Sequence, residues 1–134
     1  LTFEDGEDEI LNHIISYVGI GARAFQVAEI AKTNLNFNGL EIDITNRLVR
    51  KQRQEIDLTF IEFEVLYLLA NNPGRVFSKE QIYDVVWKES YSGDYNIVMS
   101  HIHNIREKIE DNPSKPVYIQ TVWGVGYRFN QKML

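Results

Sequence analysis

The apolar positions change their rhythm along the chain. From Glu7 to about Val18, the residues Ile10, Leu11, Ile14, Ile15 and Val18 recur at helical spacing behind an acidic first turn. Gly19 and Gly21 break that pattern, and Ala22–Ala31 reads as a second short helix ending near Thr33-Asn34. From Leu35 the period drops to two: Leu35, Phe37, Leu40, Ile42 and Ile44 alternate with polar residues, and Asn38-Gly39 is a strong hairpin turn. Arg47–Arg50 and Glu55–Leu58 read as two more strands around a polar turn at Lys51–Arg53. Together these predict a small antiparallel sheet.

The period then lengthens again. Thr59 with Glu62 forms a capping box, and Phe60, Phe63, Leu66, Tyr67 and Ala70 carry a helix that stops before Pro73-Gly74. Ser78 with Gln81 repeats the device for a helix whose apolar residues are Ile82, Val85 and Val86 and which runs to Trp87. Lys88–Tyr95 is a polar loop, and a third helix spans Asn96 to Glu110 with Val98, Ile102, Ile105 and Ile109 on one stripe. Val117–Val122 and Tyr127–Phe129 are β-prone and meet through Trp123-Gly124-Val125-Gly126, a glycine-rich hairpin tip. The predicted class is α+β: a winged helix-turn-helix with an N-terminal antiparallel sheet, three helices and a C-terminal hairpin wing, preceded by a helical segment. The division falls at residues 1–34, an appended segment, and 35–134, the winged-helix domain.

Composition narrows the function. The chain has 134 residues, 44% hydrophobic and 25% charged, as in a globular domain. It has no cysteine, which excludes disulfides, thiolate zinc sites and cysteine nucleophiles and fits a cytoplasmic protein. No apolar run approaches the ~20 residues of a membrane span. The formal charge of -5 argues against nucleic acid at first, since phosphates attract basic surfaces. Its distribution softens that objection. Residues 1–34 hold two basic against six acidic side chains, whereas residues 96–134 hold five basic against three acidic.

The motifs carry a resemblance. Leu58-Thr59 with Glu62-Phe63-Glu64, Asn72–Ser78, Val86-Trp87, His101-Ile102, Ile105-Arg106 and Tyr118–Phe129 together resemble the OmpR/PhoB-type effector domain of bacterial two-component response regulators, over about residues 35–130. The resemblance implies sequence-specific binding to double-stranded promoter DNA and control of transcription. It places Ile97, Ser100 and Asn104 at base-contacting positions, and Trp87, Asn96, His101, His103 and Arg106 at phosphate-contacting ones. Thr121, Trp123 and Arg128 become the wing contacts, and Lys88–Tyr95 the candidate contact to RNA polymerase, its plainer reading being a connector. A sensor kinase would act only through a receiver domain, whose acidic phosphoacceptor pocket is not in this chain. The isolated chain is expected to be mainly monomeric and to pair on DNA, with residues 1–34 either a receiver remnant or a dimerising helix. Two departures stand out: many relatives carry arginine where this chain has Asn96, His103 and Asn104, and the wing has Trp123 where an arginine often stands.

Other chemistry finds less support. His101-x-His103 suggests a metal, but residues i and i+2 of a helix point about 200° apart, so no metal and no cofactor is expected. Gly124-x-Gly126 lacks the third glycine and the strand-to-helix setting of a dinucleotide site. Ser78 and Ser100 have no triad partners, so no enzyme is predicted. The competing reading is a winged helix that serves only as a protein-interaction module.

Overall fold

The computed structural model describes residues 34–88 and 94–133. The predicted helices at Glu7–Val18 and Ala22–Ala31, and most of the Lys88–Tyr95 loop, lie outside the described residues. Four short strands open the domain: β1 Asn34–Phe37, β2 Leu40–Asp43, β3 Leu48–Lys51 and β4 Gln54–Ile56, hydrogen-bonded in that order. Asn38 and Gly39 both take positive φ, 45° and 97°, the mirror-image turn whose twist suits a hairpin. Leu40 and Ile42 pair with Lys51 and Val49 across β2 and β3, and this register puts Leu40, Ile42 and Val49 in the core. The β3–β4 turn also needs two positive φ values, and there Gln52 and Arg53 adopt 51° and 68° without help from glycine.

Three helices follow, α1 Phe60–Ala70, α2 Lys79–Trp87 and α3 Tyr95–Ile109, then a hairpin of β5 Ile119–Val122 and β6 Gly126–Phe129. Both expected capping boxes form. Thr59 and Ser78 each accept from the backbone three residues on, while the Glu62 and Gln81 side chains accept the N–H of Thr59 and Ser78. Helix α1 is the central element, packed against α2, α3 and β6. It therefore buries Val65 and Leu69 as well as the expected Phe63, Leu66 and Ala70. A helix surrounded by neighbours needs more than one apolar stripe.

The structure corrects several element details. Phe60, read as part of the buried stripe, is 66% exposed, and the Arg47 guanidinium lies 4.7 Å from its ring. Val85 is exposed while Tyr83 is buried, because α2 turns the face of Ile82, Tyr83 and Val86 inward. Strand β2 ends at Asp43, so Ile44 falls in the turn, and β4 stops at Ile56 before Leu58. Val117 is exposed and precedes β5 rather than belonging to it.

The hairpin is not a free arm. Phe77 bridges Tyr127, with N–H to O distances of 2.8 and 2.9 Å in the two directions. A Cβ on Gly126 would lie 2.0 Å from the Phe77 carbonyl oxygen, so this glycine is demanded by the close backbone approach. The Phe37 and Phe129 rings, 4.5 Å apart, join the first sheet to the hairpin.

Two buried carboxylates tie the elements together. Glu110, the residue that ends α3, accepts backbone N–H groups from Val117 at 2.6 Å, Tyr118 at 3.0 Å and Ile119 at 2.9 Å. It thereby satisfies donors at the start of the hairpin that lack strand partners. Glu62 joins its capping box to Lys108 Nζ at 2.7 Å, linking the first turn of α1 to the last turn of α3. Burial pushes the Glu62 carboxyl up, but hydrogen bonds from Lys108 and Thr59 outweigh it and hold the group below its ordinary value.

Glu110→Ala strands three buried N–H donors and should cost at least about 1–3 kcal/mol, the penalty for a single unsatisfied buried group. Urea unfolding measures it, and a loss under ~0.5 kcal/mol would contradict the role. For Glu62, a depressed native pKa means stability that is complete above the unfolded value of about 4.3 and fades as pH falls through the lower native value. The stability gap between the wild type and Glu62→Gln should therefore narrow on acidification from pH 6 to pH 3. A gap constant over that range would show that the charge contributes nothing.

Candidate nucleic-acid interface

Helix α3 starts where the Asp94 side chain accepts the Asn96 N–H at 3.1 Å. Its stripe of Val98, Ile102, Ile105 and Ile109 is at most 1% exposed. That anchoring leaves Asn96, Ser100, His103, Asn104 and Glu107 facing solvent, as the spacing requires. Met99, which the sequence reading passed over, is 43% exposed beside them. Ile97 is only half available, since part of its side chain packs on the core. The outward face is polar but nearly uncharged. His103 Nε2 stands 3.9 Å from Glu107 Oε2 on the next turn.

The remaining predicted contacts are held by the protein itself. His101 turns inward: its Nδ1 donates to the Ile97 carbonyl at 2.9 Å, and its ring meets Trp87 edge-on at 5.3 Å. His101 and His103 thus look in different directions. Trp87 stacks on Tyr83 with centroids 4.8 Å apart. Arg106 spans from α3 to the hairpin, donating Nε and Nη2 to the Ile119 carbonyl at 3.2 and 2.9 Å and Nη2 to Thr121 Oγ1 at 2.9 Å. Partial burial lowers the Arg106 pKa, though an arginine keeps its charge. This anchoring was missed because partners 13 and 15 residues apart in sequence give no local signal.

On the wing, Arg128 Nε donates to Gln120 Oε1 at 3.0 Å, and Trp123 stands 89% exposed at the tip. The tip is closed by Val125 N–H to the Val122 carbonyl at 2.9 Å, with Gly124 at φ 81°. Between hairpin and helices runs an open cleft of about 300 Å³, bordered by Lys79, Met99, Thr121 and Trp123. On the other side of the wing, Arg106, Pro113, Thr121, Trp123 and Arg128 border a shallower groove.

A family model described as "Transcriptional regulatory protein, C terminal" matches residues 53–129. The chain belongs to this family. It is 47% identical over 97 residues to the transcriptional regulatory protein YcbL of Bacillus subtilis, an alignment covering 72% of this chain and 43% of YcbL. The chain thus spans less than half of that relative. Among solved structures, the response regulator DrrB of Thermotoga maritima, an OmpR/PhoB homologue, matches with TM-score 0.70 and 38% identity over 81% of this chain and 50% of DrrB. The RstA DNA-binding domain of Klebsiella pneumoniae, solved with its RstA box, matches with TM-score 0.68 and 28% identity over 73% of this chain and 97% of that one.

Residues 35–134 thus have the architecture of an OmpR/PhoB-type effector domain, in a family of DNA-binding transcription regulators rather than enzymes. No helix among the described residues is long and apolar enough to cross a membrane. As an effector domain, it depends on Arg106 to fix the angle between α3 and the wing. Arg106→Gln should cost about 1.5–3 kcal/mol of stability, as expected for hydrogen bonds from a charged group. Thr121→Val should cost less, and the double mutant should lose less than the sum because the two share a bond. Strictly additive losses in urea unfolding would show that the Arg106–Thr121 bond carries no energy.

Proposed function

We propose that residues 35–134 bind promoter duplex DNA sequence-specifically as the output half of a two-component response regulator, with residues 1–34 as an appended helical segment. The observation that carries this reading is α3: one side wholly buried, the other a polar strip, with a hairpin standing beside it. A helix of this kind fits the major groove, where an asparagine can pair bidentately with adenine. Asn104 and Ser100 would read base edges, and the exposed part of Ile97 could meet a thymine methyl. Asn96 and His103 are free to approach phosphates. Trp87, His101 and Arg106 are already held by protein partners, so they would reach the backbone only with the edges left open. Thr121, Trp123 and Arg128 would meet the adjacent minor groove. The RstA domain bound to its box supports the mode of engagement.

Cations are scarce here, with twelve basic against thirteen acidic residues in 35–134. Few phosphates are neutralised, so affinity should depend on paired domains on adjacent half-sites, with the free chain mainly monomeric and cytoplasmic. The Lys88–Tyr95 loop is the surface offered to RNA polymerase, and a receiver domain would carry the kinase signal.

Selection of duplexes from a random pool, followed by titration at several salt concentrations, tests the proposal. Retention of a consensus with salt-dependent affinity supports it; retention of none favours a protein-interaction module. Within that experiment, Asn104→Ala should relax preference at one base position by about 1–3 kcal/mol. An unchanged consensus would remove Asn104 from the reading set.

A further inference from the structure

The side chain least accounted for by the fold is the indole of Trp123. At 89% exposure it is the most exposed large hydrophobic group among the described residues, and Val125 at 57% and Met99 at 43% extend the apolar surface around it. Burying so large a ring elsewhere would stabilise the protein, yet the hairpin presents it to water. The presentation is rigid. Strands β5 and β6 pair up to Val122 with Gly126, the Phe77–Tyr127 bridge fixes their outer face, and Arg106 holds Thr121 two residues away. Trp123 also sits between two concave surfaces, the cleft shared with Met99 of α3 and the groove that contains Arg106 and Arg128. One side therefore continues the face assigned to the major groove, and the other carries positive charge that suits a phosphate backbone.

We propose that Trp123 is a DNA contact in its own right, an apolar wedge laid into the minor groove next to the α3 footprint. The inference rests on the DNA-binding reading above and deepens it. Duplex DNA is the occupant favoured here because the apolar tip is continuous with the polar face of α3 and flanked by arginines. Apolar side chains inserted from the minor groove partly unstack a base step and bend the duplex. Pyrimidine–purine steps yield most easily, so the wedge selects such a step beneath the wing tip. The contact has a thermodynamic signature distinct from that of an arginine. It releases no counterion, so it raises affinity without steepening the salt dependence. In a domain with few free cations, that is the contact able to add affinity.

The test uses the full chain and a labelled duplex selected by the wild type from a random pool, titrated between low and moderate salt. Trp123→Ala should weaken binding roughly 5- to 100-fold, the range for loss of one aromatic–base contact, with the salt slope unchanged. Trp123→Phe should recover most of the affinity, and Trp123→Arg should steepen the slope by about 0.9, one added phosphate contact. Replacing a pyrimidine–purine step under the wing should weaken the wild type and leave Trp123→Ala indifferent. The side chain is exposed, so these variants should fold as the wild type does. Wild-type affinity in Trp123→Ala overturns the proposal, as does a loss accompanied by a reduced slope. A loss seen on tandem half-sites but absent on a single one assigns Trp123 to contact between copies and also overturns it. A wild type that retains no duplex defeats the DNA-binding reading itself, an outcome distinct from all of these.

Discussion

Everything the candidate surface can do depends on the burial of one stripe of α3. Val98, Ile102, Ile105 and Ile109 are locked against the core, so the helix cannot rotate about its axis without exposing them. Fully burying a single aliphatic side chain of this size is worth about 1.5–3 kcal/mol, and a rotation would forfeit several at once. The polar face is therefore a consequence of the apolar one: Asn96, Ser100 and Asn104 point outward because their neighbours are required inside. Two ties at the far end then relate α3 to the hairpin. Glu110 gathers the N–H groups of Val117, Tyr118 and Ile119, and Arg106 holds the Ile119 carbonyl and Thr121. Helix and wing thus form one rigid reading head.

That rigidity bears on recognition. A surface with little net charge gains little from counterion release, so it must rely on fit, and fit needs elements that do not move. Asn96, Asn104 and His103 replace the arginines found in many relatives, and Trp123 replaces a wing cation. The substitutions point the same way. Long-range attraction is traded for short-range hydrogen bonds and apolar contact, which favours discrimination between sites over affinity for DNA in general.

Much of this was legible in the chain. The capping boxes at Thr59 and Ser78, the hairpin turn at Asn38-Gly39 and the stripe of α3 are local patterns, and each forms where the spacing puts it. The outward residues of α3 followed by geometry from the stripe. Phe60 and Val85 misled because an apolar residue at roughly helical spacing is buried only if a neighbour stands on that side. Which side of a helix has a neighbour is a property of the whole fold. Glu62 and Glu110 gave no sign of burial, since a carboxylate in sequence reads as surface until its donors are placed.

The sequence by itself determined the elements, their order and the two faces of α3, because these depend on the period of apolar residues and on caps a few positions apart. Only the tertiary structure decided which polar groups are already engaged. His101 bonds back to Ile97 and packs on Trp87, and Arg106 is committed to the hairpin, whereas Asn104 and Trp123 stand open to solvent. All four looked alike as candidates in the chain. What separates them is partners up to 15 residues away, brought close by core packing and by a glycine at 126 that lets two backbones meet.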